Sequence, residues 1–239
     1  MERRWVTSAG TIGAIAAVDP LVADAVFGSS AAVALGGWPG ATTGRAWASS
    51  ERFAQDVAAD AIAEDVTIVM YDPERWDATP LAEKLDPVKH IAAFGALARS
   101  RGYSVMVTPH PNLVSVPGSA HAPRPGETRE AAYLRSGIVE ASAAIADVVE
   151  TQSQSHQRDP ATYRAFVLDT ARLARSVNPD VQVVSGLSTH PGYPATADML
   201  REAWECVRGV VDGHYLSLAH RRLPSVAASF LSMTVARAR

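Results

Sequence analysis

Six times along this chain a short apolar run ends in a polar cluster and gives way to a stretch with helical periodicity. The runs lie in 31–39, the first half of 67–76, 103–109, 147–154, 181–188 and 211–218. Runs rich in valine and isoleucine, with little alternation, are how strands buried on both faces read. Helical patterns fill the intervals at 51–63, 87–100, 127–145, 160–177 and 196–207, and another closes the chain at 225–235. Several mark their own ends: Ser49-Ser50 can cap, Asp159-Pro160 supplies an N-cap and a first turn, and Gly102 sits where a helix stops. No linker interrupts the series. Alternation of this kind implies a parallel sheet with right-handed crossovers.

A complete (β/α)₈ barrel needs eight strands and typically about 250 residues. Only one more candidate, 5–12, joins the six, and too few residues precede Ala31 for two full units. The expected fold is therefore α/β, one TIM-barrel-like domain over 1–239, incomplete or irregular at its N-terminal side. A doubly wound open sheet ranks second, because no Gly-rich phosphate loop follows the first strand. An incomplete barrel leaves an edge to cover. Trp5, Ile12 and Ile15, or Val226, Phe230 and Met233 of the closing helix, can seal it, but a second copy of the chain serves better, so a homodimer is expected.

With 47% hydrophobic and 20% charged residues and a net charge of −3, the chain gives no reason to expect nucleic acid or an anionic membrane as partner. No apolar run reaches the roughly 20 residues of a membrane span. The single cysteine, Cys206, permits no internal disulfide and reads as an inert thiol on a helix. Arg3-Arg4 before an apolar stretch has the outline of a twin-arginine export signal, although Asp19-Pro20 ends that stretch early. A first strand and helix, in a cytoplasmic protein, is the preferred reading.

In α/β folds the chemistry sits at the carboxyl ends of the strands. The stretch 67–76, Thr-Ile-Val-Met-Tyr-Asp-Pro-Glu-Arg-Trp, presents Asp72 and Glu74 there, two residues apart and so on one side of an extended chain. Along 147–154 the same spacing of two puts Glu150, Gln152 and Gln154 on one face, which is costly unless they bond each other or a polar ligand. The remaining tips offer His110, Asn112 and His190, with Tyr71, Trp76 and Trp38 able to meet hydroxyls or stack on rings.

A barrel strand ending Tyr-Asp-x-Glu resembles those of glycoside hydrolases and matches the end of the chitinase-type pattern Asp-x-x-Asp-x-Asp-x-Glu. The two earlier aspartates of that pattern are replaced here by Thr67 and Met70. The resemblance implies Glu74 as general acid and Asp72 as its assisting aspartate. On this reading the chain is a hydrolase of a glycoside or related polyhydroxylated substrate, working by carboxylate acid/base catalysis without a cofactor. Glu150 is the expected nucleophile or second carboxylate. Gln152, Gln154, His110, Asn112, His190, Trp76 and Tyr71 are the expected substrate contacts.

Two other readings stand beside it. His110, His156, His190 and His220 all follow strands, and three histidines with a carboxylate suit a catalytic zinc, although no short His-x-His spacing occurs. The incomplete acidic motif also fits a non-catalytic, degenerate barrel that binds a polar ligand.

Overall fold

The computed structural model describes residues 4–218 and 223–236. Eight parallel strands pair in sequence order and close into a barrel. They are β1 (Arg4–Ser8), β2 (Val33–Leu35), β3 (Thr42–Trp47), β4 (Ile68–Tyr71), β5 (Ser104–Val107), β6 (Val148–Glu150), β7 (Gln182–Ser188) and β8 (Gly213–Ser217). The helices are α1 (Ala9–Ala16), α2 (Pro20–Phe27), α3 (Ser50–Ala58), α4 (Leu81–Leu85), α5 (Pro87–Ser100), α6 (Arg129–Arg135), α7 (Ile138–Ile145), α8 (Pro160–Val177), α9 (Ala197–Val207) and α10 (Pro224–Ala236).

The N-terminal third corrects the expectation of missing strands. β1 stops at Ser8, whose hydroxyl caps α1 by accepting from the Thr11 amide, so residues 9–12 are helix rather than strand. The additional strand is β3, whose sequence TTGRAW has little apolar character to mark it. It follows β2 with no helix between them. The chain returns through residues 36–41, where Gly36, Gly37 and Gly40 all take positive φ (93°, 83° and 83°). Such turns are open to glycine at little cost, and they shorten a crossover that otherwise takes a dozen residues or more. Trp5, Ile12 and Ile15 lie buried. With the sheet closed, the open edge that motivated a dimer does not exist.

The chain divides into two compact units. One holds the residues up to Gly44, Ser153–Leu168 and the stretch from Val184 onward. Here β1 pairs with β2 and β8, and Trp5 packs edge-on against Phe27 and Phe230. Asp159 caps α8 by accepting from the amides of Ala161 and Thr162. The other unit holds Arg45–Gln152 and Asp169–Val183, and contains β4, β5 and β6. Val69, Val105, Val107 and Val149 of these strands are fully buried, as their apolar runs require. The helix expected over 127–145 is divided into α6 and α7 at Ser136–Gly137, where Gly137 adopts φ 80°.

Among the described residues no helix is long and apolar enough to cross a membrane. Cys206 lies in α9, its thiol pushed up to about 11, chiefly by burial.

A carboxylate that the sequence did not single out organises the second unit. Glu83, on α4 and almost fully buried, accepts from the hydroxyls of Tyr71 (2.6 Å) and Ser49 (2.8 Å) and from the amides of Ser50 (2.8 Å) and Glu51 (3.2 Å). Burial works against its charge, but these bonds together hold it below the ordinary carboxylate range. It thus joins β4 to α4 and to the N-terminus of α3, where a negative charge is also favoured by the helix dipole. Glu83→Ala leaves three buried donors and one part-buried donor without this acceptor and is expected to cost about 3–5 kcal/mol in urea unfolding. Tyr71→Phe, which removes one donor, is expected to cost about 1 kcal/mol. Equal losses in the two variants would rule out Glu83 as the centre of this network.

Candidate functional site

Three consecutive strands, β4, β5 and β6, place the polar groups. β4 and β5 pair with Tyr71 opposite Val107, so the residues that follow them, Asp72 and Thr108, are neighbours. β5 and β6 pair with Val107 opposite Val149, which brings the end of β6 alongside. The Thr108 hydroxyl donates to Asp72 Oδ1 at 2.5 Å. The Gln152 side-chain amide donates to the same oxygen at 3.2 Å and to the Thr108 carbonyl at 3.1 Å. Gln152 reaches back in this way because its backbone is left-handed, at φ 45°. A non-glycine residue in that region is strained, and such strain concentrates at functional sites.

Glu74 stands two residues beyond Asp72 on a loop that folds over Thr79. The Thr79 hydroxyl accepts from the Glu74 amide (3.2 Å) and from the Trp76 indole (2.7 Å). Burial and the charge of Asp72 push the Glu74 carboxyl up to about 7, against a bond from Gln152 that lowers it. Burial also raises Asp72, to about 6, with the donors Thr108 and Gln152 limiting the rise. Glu150 is 1% exposed, and its Oε1 has no hydrogen-bond partner among the described residues. Burial first, then the charges of Asp72 and Glu74, carry its carboxyl well above the ordinary range. All three carboxyls thus hold a proton more tightly than free ones, Glu74 at about 7, Asp72 at about 6 and Glu150 displaced in the same direction.

This set brings together Asp72, Glu74, Glu150 and Gln152, all expected from the strand tips, and adds Thr108. By sequence Thr108 reads as part of the strand over 103–109, yet aligning the ends of the apolar runs of β4 and β5 puts it opposite Asp72. Its neighbours take other roles. Tyr71, expected to meet substrate, is buried on the helix side of β4, stacked on Phe94 with ring centroids 5.0 Å apart and donating to Glu83. Alternation along the strand explains this, because Tyr71 and Asp72 face opposite ways. Asn112 Oδ1 accepts from the Arg75 amide at 2.9 Å and ties the loop after β4 to the one after β5. His110 Nδ1 accepts from the Asn112 amide, and burial together with the nearby Arg129 lowers its pKa to about 4. Trp76 is 43% exposed on the Glu74 loop.

The expected ladder from Glu150 to Gln154 is broken, because β6 ends at Glu150 and Gln154 opens a 3₁₀ turn, Gln154–His156. Gln154 and His190 both belong to the other unit. There the His190 amide donates to Ser188 Oγ, and Gln157 clamps Ser188 through its backbone amide and carbonyl. His156 packs on Phe166 at 5.2 Å, and His220 lies outside the described residues. Among the described residues no three His, Cys, Asp or Glu side chains gather as a metal would need, so the zinc reading finds no ligand set there.

No protein-family model matches the chain, and no curated protein matches it in sequence. Among solved structures, the fold is similar to the catalytic domain of a family GH18 chitinase from a fern, Peteris ryukyuensis. The TM-score is 0.50 at 12% identity, over 86% of this chain and 72% of that one. The likeness is one of fold, a TIM barrel in both.

Proposed function

We propose that this barrel hydrolyses a glycoside or a related polyhydroxylated substrate by carboxylate acid/base catalysis. The observation that carries the reading is the pairing of a half-buried Glu74, its carboxyl near 7, with an Asp72 whose charge is held by two donors. Cleaving a glycosidic bond requires a proton for the leaving oxygen and negative charge near the anomeric carbon as positive charge develops there. Glu74 can give the proton at neutral pH, and Asp72 can supply the charge. The exposed indole of Trp76, on the same loop, offers a face for a sugar ring. The similar fold of a chitinase domain supports a carbohydrate as substrate.

Burial works against a charge on Glu150, the nucleophile or second carboxylate of the sequence reading, so on this proposal the charge is assigned to Asp72.

The test is a panel of aryl glycosides and chito-, xylo- and cello-oligosaccharides followed by release of reducing ends. Hydrolysis of at least one member is expected, with a bell-shaped profile. The rate falls below about 6 as Asp72 takes up a proton and above about 7 as Glu74 loses one. Binding of oligosaccharide without turnover at any pH would leave a degenerate, ligand-holding barrel instead.

A further inference from the structure

Asp72 and Glu74 are two carboxyl groups in one pocket of charge, and something must decide which of them keeps the proton. Among the described residues, no Lys, Arg or His is among the groups that shift Asp72, Glu74 or Glu150. Glu150 faces the pair from β6 with its carboxyl raised by burial, and Tyr133, on α6, lies beside Glu150 with its hydroxyl donating to the Pro109 carbonyl. His110 is neutral above about 4. The choice therefore falls to uncharged donors.

We propose that Thr108 and Gln152 are positioning residues that hold Asp72 as the anion and leave Glu74 as the proton carrier. This rests on the acid/base reading of the site. The two donors meet on a single oxygen, Asp72 Oδ1. The Gln152 nitrogen sits between that oxygen and the Thr108 carbonyl, which can only accept, so the group facing Asp72 must be the NH₂. An NH₂ stabilises a carboxylate and offers nothing to the O–H of a neutral carboxylic acid. Register places Thr108, because its position follows from Tyr71 pairing with Val107. Strain places Gln152, whose left-handed backbone turns the side chain across the ends of β5 and β4. Gln152 lowers Glu74 as well, whereas Thr108 acts on Asp72 alone, so Thr108 is the donor that sets the pair apart and Gln152 holds Asp72 in place.

Carbon-13 NMR titration of the side-chain carboxyls tests this in the full chain, and needs no substrate. Thr108→Val removes one donor with little change of shape. Gln152→Asn withdraws the other, and asparagine tolerates a left-handed backbone. Thr108→Val is expected to raise the Asp72 titration by about one pH unit, to or past that of Glu74, whereas Gln152→Asn is expected to raise both titrations together. Thr108→Ser keeps the hydroxyl and is expected to restore the wild-type order. Where hydrolysis is measurable, Thr108→Val and Gln152→Asn are expected to lower kcat at least about tenfold and to move the acid limb of the pH profile up with Asp72. Loss of stability in Thr108→Val with the order of the two titrations unchanged, or in Gln152→Asn with the Asp72 titration unmoved, would overturn the proposal. An enzyme inactive on every substrate leaves the titration result standing, so the failure of the two readings can be told apart.

Discussion

Glu74→Gln is expected to lower turnover of an unactivated oligosaccharide by about 10²–10⁴-fold, the usual worth of a positioned general acid. At 1.36 kcal/mol for each factor of ten, this corresponds to about 3–5 kcal/mol of transition-state stabilisation. Glutamine keeps the shape of the side chain and removes the titrating group that burial and Asp72 set at about 7. The size of the loss depends on the leaving group. A dinitrophenyl glycoside departs without a proton, so its hydrolysis is expected to fall far less in the variant. Glu150→Gln serves as the contrast, because burial works against a charge on Glu150 and the loss on its replacement is expected to be much smaller. Equal losses with the two leaving groups would take the proton-donor role away from Glu74. A Glu150→Gln loss as large as that of Glu74→Gln would restore the nucleophile role to Glu150.

These expectations begin at the strand tips, and the tips are the legible part of the sequence. The run Ile68–Tyr71 followed by Asp72-Pro73-Glu74 marks a buried strand and its polar end, because parallel strands are apolar on both faces and stop being so where the sheet ends. The capped helices are similarly clear: α5 runs from Pro87 to Ser100, as the proline, the apolar spacing and Gly102 indicate. What escapes is decided by groups far apart in the chain. β3 is a strand because Thr42–Gly44 pair with Val33–Leu35, and its polar composition does not announce that. Glu83 looks like a surface residue of a short Leu-Ala-Glu-Lys-Leu helix, and becomes buried only because Ser49, Ser50, Glu51 and Tyr71 converge on it. Gln152 is reached by period-two counting, but its real position comes from a left-handed backbone that local pattern does not encode.

The carboxyl cluster also sets how stability responds to alkali. Asp72, Glu74 and Glu150 bind protons more tightly in the folded chain than in the unfolded one, where their ordinary values lie near 4. Over the range in which only the folded state holds the proton, stability falls as pH rises, by about 1.4 kcal/mol per proton per pH unit. Other groups act in the opposite sense at lower pH. Glu83, Glu127 and Asp159 are depressed, so their contributions are complete above the ordinary carboxylate range. His110, lowered to about 4, contributes against its unfolded value of 6.5 and is complete just above that. Tyr71 and Tyr133 titrate only at still higher pH, and the Cys206 thiol lies near 11. Between about pH 6.5 and 8.5, then, the cluster dominates among the shifted groups, with Glu74 and the tail of Asp72 finishing their titrations and Glu150 acting in the same direction. The expected result is a loss of at least about 1 kcal/mol across that window, seen as a fall in Tm of at least roughly 2–4 °C for a chain of this size. Glu150→Gln removes one of the three raised carboxyls and is expected to reduce the slope. A Tm that holds steady from pH 6.5 to 8.5 in the wild type would mean that these carboxyls do not hold protons more tightly in the folded barrel, and the role of Glu74 as an acid at neutral pH would fall with it.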